Sequence, residues 1–330
     1  MKITVTGGSG FLGSHVADAL SQKGHKVTIF DKKKSTWIKP GQKMCIGDIL
    51  NPKDLENAIK GADVVFHFAA LADLGQSLKE PINTVRVNIL GTVLALELSH
   101  KHNVKRFIHA STIYVNSIDG GFYRSSKKAA EDYVEEYKKI HGLNYTILRF
   151  GSLYGQRSDN TNGVRFILKE AITKNQISYT GSRKTIRRYI HVLDAAEACA
   201  DTLKAKYKNK HIIITGKKEI KMTELETLML DVTNTLNHNG FDDVRITPQS
   251  GEDFSIRVGY WDIIPASLIE TMEEYHSVRI TETDWEDDDC GTLYRYFVEV
   301  VDEDCGYTLN ELNELESNYS DESDYLMAVG

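Results

Sequence analysis

The chain has no long apolar run and no patterned cysteines. The longest apolar stretch of the 330 residues lies near Asp63 to Leu74, far too short to span a bilayer, so no membrane-spanning helix is expected. Cys45, Cys199, Cys290 and Cys305 are scattered without the close spacing that a zinc or iron–sulfur site requires. The run Glu286-Asp287-Asp288-Asp289 lacks the alternation and the glycine of a calcium loop and reads as a solvated acidic surface. No metal site is expected. No cleavable leader is read, because residues 1–13 already form a strand and a glycine turn; reduced thiols and a cytoplasmic location are expected.

The charge is unevenly distributed. Residues 1–235 carry 36 Lys and Arg against 23 Asp and Glu, whereas residues 236–330 carry 4 against 24. The basic residues are dispersed along the first part rather than clustered, and the acidic part would oppose a polyanion, so no nucleic-acid partner is expected. The texture changes beyond Asn237-His238-Asn239-Gly240. This divides the chain into 1–235, an acidic α+β segment 236–309, and an acidic flexible tail 310–330. In the middle segment, 244–247, 254–258, 277–281 and 292–301 read as strands and 263–276 as a helix, with Trp261 and Trp285 as core candidates. That segment reads as a divergent substrate cap, a partner-binding module, or a domain that docks on the basic part.

The opening Lys2-Ile3-Thr4-Val5-Thr6-Gly7-Gly8-Ser9-Gly10-Phe11-Leu12-Gly13 is an apolar strand that runs into spaced glycines, followed by a helical stretch over 14–23. A dinucleotide pyrophosphate needs this order. Gly7 allows a tight turn, Gly10 lets backbone approach the phosphates, and Gly13 lets the helix pack on the strand. Asp31 ends a second strand, Lys26 to Phe30, where its carboxylate can accept from ribose hydroxyls and repel a 2′-phosphate; this favours NAD over NADP. Lys32, Lys33 and Lys34 read as a solvated turn. Asp48 is a candidate for the adenine amino group. The run Val64-Val65-Phe66-His67-Phe68-Ala69-Ala70 reads as a strand buried on both faces; Ala69 and Ala70 are small enough to let the cofactor pass, and His67 reads as a core residue.

Tyr123-Arg124-Ser125-Ser126-Lys127 places Tyr and Lys on one helix face. A nearby ammonium can stabilise a phenolate that otherwise forms only near pH ~10. Upstream, the apolar strand 105–112 ends in Ser111-Thr112, two hydroxyls able to bond a reacting alcohol or carbonyl.

Together these motifs resemble the extended short-chain dehydrogenases/reductases of the NAD-dependent sugar epimerase/dehydratase family, over residues 1–235. Asn88-Ile89-Leu90-Gly91-Thr92, Arg149, Tyr154-Gly155, Arg187, Ile190-His191-Val192 and Asp194 fit the same pattern. The resemblance implies an α/β fold, a doubly wound parallel Rossmann sheet with a smaller substrate portion from about residue 150. It implies a cofactor set of Gly7, Gly10, Phe11, Leu12, Gly13, Asp31, Asp48, Ile49, Ala69, Ala70, Asn88, Tyr123 and Lys127. Tyr123 would exchange the proton with Lys127 as its charge partner. Thr112 takes the place of the active-site hydroxyl, with Ser111 as its neighbour. Ser152, Arg157 and Arg187 would meet a nucleotide-sugar substrate. A homodimer through helices at 89–101 and 126–141 is expected, and 236–330 is a candidate surface for a protein partner.

Departures from the family pattern narrow the choice. Ile113-Tyr114 stand where the dehydratase branch carries Asp-Glu, and Asn116-Ser117 where the family has Tyr-Gly. Ser152, Gln156 and Arg188 replace the usual Asn, Pro and acidic residue. Ten residues separate Thr112 from Tyr123, a loop much shorter than the family's usual one. The expectation is a nucleotide-sugar epimerase inverting C4 through transient hydride transfer to bound NAD. The alternatives are a dehydrogenase or reductase of the same family, and a non-catalytic NAD-binding scaffold.

Overall fold

A computed structural model describes residues 1–174, 184–227 and 230, together with the backbone of strands at 244–248, 254–258, 278–288 and 291–300. The described residues fall into two compact units. One comprises 1–151 and 193–214; the other takes in 152–192 and the residues from 215 onward, up to 306.

The first unit alternates strand and helix. Its elements are β1 (Lys2–Thr6), α1 (Phe11–Gln22), β2 (Lys26–Asp31), β3 (Lys43–Ile46), α2 (Pro52–Ile59), β4 (Val64–His67), α3 (Leu74–Lys79), α4 (Pro81–Thr84), α5 (Gly91–Lys101), β5 (Arg106–Thr112), α6 (Gly121–His141) and β6 (Tyr145–Phe150). In the second unit lie β7 (Ser152–Tyr154), α7 (Gly163–Lys174) and β8 (Ile186–His191). The chain then returns through α8 (Val192–Asp201) to add β9 (His211–Ile214) to the first sheet.

That sheet has seven strands in the order β3-β2-β1-β4-β5-β6-β9, every pair parallel. It is a Rossmann-like α/β sheet, as its opening motif implied. The chain winds outward from β1 to β3, then returns to β4 beside β1 and winds the other way. The order therefore reverses between β1 and β4, where such sheets leave a crevice at the carboxyl ends of their strands. Both faces of the central strands are covered: β4 is buried at all four positions, and β5 at all but its first. Phe30, Leu55, Ile59, Val65, Leu96, Phe107, Val134 and Ile147 form one core beneath α2, α5 and α6.

Two boundaries differ from the sequence reading. The apolar run 64–70 is strand only to His67, and Ala69 and Ala70 belong to the loop beyond it. The first helix starts at Phe11, three residues earlier than expected, because Gly10 serves as its N-cap. A π-helical turn, Val85–Leu90, joins α4 to α5 and carries Asn88. Such turns are often found at functional sites.

In the second unit β7 and β8 run parallel, and β10 (Glu219–Lys221) joins β8 antiparallel to make a small mixed sheet. Tyr154, Val164, Ile167, Tyr189, Met222 and Leu225 form its core. Four further strands, β11 (Val244–Pro248), β12 (Phe254–Val258), β13 (Val278–Asp288) and β14 (Gly291–Val300), make an antiparallel sheet in the order β11-β12-β14-β13. All four fall where strands were expected. β13 is longer than its sequence pattern, because Glu286, Asp287 and Asp288 continue the pairing with β14 up to the turn. The expected helix over 263–276, Trp261 and the tail 310–330 lie outside the described residues.

Candidate active site

The crevice is built from backbone. Gly7, just past β1, has φ +71°, and a Cβ there would stand 2.6 Å from the Ala69 nitrogen. A Cβ on Gly13 would stand 2.3 Å from the Gly7 oxygen. These two glycines let α1 and the loop after β4 close on the turn. Gly10 differs, since a Cβ there would meet only the Gly7 oxygen, at 3.2 Å. No side chain caps α1, and no acidic residue lies in its first turn. The initial N–H groups of a helix have no acceptor within it, and its dipole is positive at that end. An anion such as a pyrophosphate fits this cradle, whose first helical residues are Phe11 and Leu12.

Asp31 ends β2 beside the turn. Its Oδ2 accepts from the Ser9 N–H at 3.1 Å and its Oδ1 from the Lys33 N–H at 3.0 Å, which fixes the carboxylate next to the glycines. Asp48 is exposed and accepts from the Leu50 N–H at 2.8 Å. Ile49 is buried, and a Cβ on Gly91 would lie 3.2 Å from it. Asn88 is buried with its amide fully engaged: Oδ1 accepts from the Leu71 N–H at 2.7 Å, and Nδ2 donates to the Leu71 carbonyl and the Ser126 hydroxyl. It braces the loop that carries Ala69 and Ala70.

The second group of residues lies where β5 meets α6. This helix begins at Gly121, ahead of the expected 126, which puts Tyr123 in its first turn. Gly120 and Gly121 both have positive φ, and a Cβ on Gly120 would come within 3.1 Å of the Tyr114 Cβ. Arg124 donates to the Ser117 carbonyl at 2.6 Å. The short loop after Thr112 is therefore tied back onto α6.

Lys127 is buried and donates to the Ala110 carbonyl at 2.8 Å; its Nζ lies 6.0 Å from the centre of the Tyr123 ring. Burial pushes the Lys127 ammonium down to about 8, against an opposing pull from Glu131. The Tyr123 hydroxyl moves the other way: burial, reinforced by Tyr114, raises it above its ordinary value. The sequence reading expected a nearby ammonium to lower the phenol; in the chain by itself the direction is the opposite. The desolvation of Tyr123 outweighs an ammonium directed at a backbone carbonyl.

Thr112 is buried, and its Oγ1 accepts from the Tyr114 N–H at 3.2 Å; its own proton has no acceptor among the described residues. Ser111 is different. Its hydroxyl donates to Glu131 of α6, which in turn receives Arg149 of β6 through Nε at 3.1 Å and Nη2 at 2.8 Å. Successive residues of a strand point to opposite faces, so Ser111 and Thr112 do not act as paired hydroxyls. Glu131 was not read from the sequence as a site residue, although its spacing of four from Lys127 puts both on one helix face.

Two buried histidines underlie Lys127. Thr92 gives its hydroxyl proton to the Asn88 carbonyl at 2.6 Å, so it receives one from His67 Nε2 at 3.0 Å, and His67 Nδ1 accepts from Thr6 at 2.8 Å. His67 is thus a neutral core residue, pushed down to about 3 by burial. His109 is wholly buried, 5.7 Å from His67 between ring centres, and neither of its nitrogens has a partner among the described residues.

Ser152, Arg157 and Arg187 belong to the second unit. Ser152 on β7 pairs with Tyr189 on β8, and strand alternation puts Arg187 on the same face of this sheet. Arg157 holds a positive φ of 61° in the loop after β7, unusual for a side-chain-bearing residue. Arg188, where the family pattern has an acid, pairs with Glu219 of β10 at 3.1 Å. Among the described residues no cluster of His, Cys, Asp and Glu could hold a metal, and no helix is long and apolar enough to cross a membrane.

Comparison with known proteins shows the family. A model of the NAD dependent epimerase/dehydratase family matches residues 3–215. A Methanocaldococcus jannaschii protein provisionally named as a UDP-glucose 4-epimerase is 31% identical over 247 residues, covering 68% of this chain and 79% of its own. A dTDP-glucose 4,6-dehydratase of Streptomyces niveus is 26% identical over 323 residues, covering 84% of this chain and 94% of its own. The crystal structure of a Thermus thermophilus UDP-glucose 4-epimerase with NAD has a TM-score of 0.64 at 27% identity, over 71% of this chain and 84% of that one. The glycine turn, Asp31, Thr112, Tyr123 and Lys127 all lie inside the matched span, and this chain belongs to the NAD dependent epimerase/dehydratase family.

Proposed function

We propose that the chain is a nucleotide-sugar epimerase using NAD. The observation that carries this reading is the composition of the site next to Thr112. Tyr123 is a proton-transfer group with Lys127 beside it, while Ile113 and Tyr114 offer no carboxylate. A dehydratase must also expel water, and the Asp-Glu pair that its branch places here is missing. An epimerase needs only to take a proton from one hydroxyl and give it back.

Gly7, Gly10 and Gly13 with the start of α1 would hold the cofactor's pyrophosphate, and Asp31 its adenosine ribose. Oxidised NAD supplies the hydride acceptor and a positive ring whose charge favours the Tyr123 phenolate. Thr112 donates its free proton to the sugar oxygen, and Tyr123 takes the proton of the same hydroxyl. Lys127 holds positive charge beside the phenolate. Ser152, Arg157 and Arg187 are proposed to bind the nucleotide diphosphate through charge-assisted bonds. Tyr133 and Ile140, exposed on α6, are consistent with a homodimer through that helix.

The test is NMR of UDP-, GDP-, CDP- and dTDP-sugars incubated with the protein and NAD. The expected result is a new epimer without net NADH, absent with Tyr123→Phe. Net formation or consumption of NADH would replace this reading with a dehydrogenase or reductase. NAD binding with no change in any sugar would favour a scaffold, and would direct attention to the partners of 236–330.

A further inference from the structure

The buried ion pair behind the site has no part in the proton transfer described so far. Glu131 is almost wholly inaccessible, and Arg149 is half-buried. The two are joined by a two-toothed fork, and Ser111 donates to the same carboxylate. One side chain of α6 thus grips adjacent strands at Ser111 and Arg149, which are register partners in the β5–β6 ladder. The next residue of β5 is Thr112, and one turn earlier on α6 is Lys127. Burying such a pair gives little net stability, and an apolar replacement of similar volume is often as stable. Its place next to both Thr112 and Lys127 calls for another explanation.

We propose that Glu131 is a positioning residue: held by Ser111 and Arg149, it fixes the middle of α6 against the end of β5 and keeps the Lys127 ammonium charged beside Tyr123. This inference rests on Tyr123 and Lys127 being the proton-transfer pair. Lys127 also faces His109 of β5 and His67 of β4, both fully buried and neutral, so neither supplies the negative charge an ammonium needs. On its own helix it faces Tyr123 and Glu131, and Tyr114 flanks Tyr123. Behind the pair, His211 of β9 faces Arg149, Glu131 and Glu135, and its Nε2 donates to the Glu135 carboxylate at 2.7 Å. Tyr145 of β6 faces Glu135, Arg149 and Glu131. Glu131 is therefore the carboxylate that acts on Lys127 from its own helix face, one turn away.

The experiment is a titration of Lys127 in the full chain without cofactor, read by NMR with 13C-labelled lysine and assigned by loss of the signal in Lys127→Arg. Glu131→Gln removes the negative charge and leaves that of Arg149. The Lys127 midpoint is expected to fall by about one pH unit, the effect of losing a nearby opposite charge in a desolvated site. Glu131→Gln/Arg149→Met removes both charges and tolerates burial better. Its midpoint is expected between those of the single variant and the parent, which keeps the test open should the single variant fail to fold. With substrate and NAD, the alkaline limb of the kcat profile should move down with the titration, while KM changes little. Midpoints equal to the parent's in the folded variants would overturn the proposal and leave Glu131 a structural group. Full activity of Tyr123→Phe would overturn the underlying reading instead, whatever the titration shows.

Discussion

The substitution Gly7→Ala tests the crevice most directly. Two separate costs apply. Gly7 has φ +71°, in the left-handed region that costs an alanine roughly 1–2 kcal/mol. The new Cβ would also stand 2.6 Å from the Ala69 nitrogen and 2.7 Å from the Phe68 carbonyl carbon, backbone atoms that cannot rotate away. Forcing extra carbon into a packed site costs roughly 1–3 kcal/mol more. Alanine recovers roughly 0.4–1 kcal/mol by narrowing the unfolded ensemble. The expected loss of stability is about 2–4 kcal/mol. Gly24→Ala is the control, since φ there is +79° but nothing lies within 4 Å of the added carbon. It should cost only about 1 kcal/mol. Urea unfolding followed by circular dichroism gives both values, and calorimetric titration with NAD gives the second readout. Gly24→Ala should bind NAD as the parent does. Gly7→Ala should bind at least about tenfold more weakly, a change of about 1.4 kcal/mol, because the turn must move away from Ala69 to admit the methyl group. Equal costs for the two substitutions would refute the claim that close approach to the β4 loop is what requires glycine at position 7.

Other consequences concern the buried layer behind Lys127. The unfolded chain protonates its histidines as pH falls below about 6.5, while His67 and His109 refuse the proton in the folded state. Their contribution to stability is complete above that pH and is lost as pH falls toward the folded values, by about 1.4 kcal/mol per pH unit for each histidine. His109→Phe removes one histidine's share of that slope and loses no hydrogen bond at pH 7. Unfolding free energies measured from pH 7 to pH 5 should therefore be flatter in the variant, and parallel curves would contradict the assignment. Thr92→Val leaves the His67 Nε2 proton without an acceptor and should cost about 1–3 kcal/mol, whereas Thr92→Ser should lose much less. A harmless Thr92→Val in the same urea assay would mean that His67 bonds elsewhere.

Much of the architecture was legible because it is written locally. Strands β1, β2, β4 and β5 show as short apolar runs, and the four strands beyond residue 240 also show in the sequence. The glycine spacing 7-10-13, Asp31 at the end of β2, and Tyr123 four residues before Lys127 each depend only on neighbours in sequence. The element boundaries were less legible. α6 begins at Gly121 because two glycines with positive φ and the Arg124–Ser117 bond fold the short loop tightly, and none of these contacts leaves a periodic signal.

The sequence by itself determined the type of those elements that carry a clear local pattern, and most of the residues available for chemistry, because these follow from periodicity and backbone stereochemistry. The tertiary structure decided which of those residues can act. It separated Ser111 from Thr112 by sending one hydroxyl to Glu131, committed Asn88 to bracing Leu71, and placed the half-buried Tyr123 where desolvation raises its hydroxyl. It also brought Glu131 and Arg149 together from a helix and a strand 18 positions apart. Hydrogen-bond partners and desolvation are properties of space, fixed by the packing of α6 on β5 and β6, and no local pattern carries them.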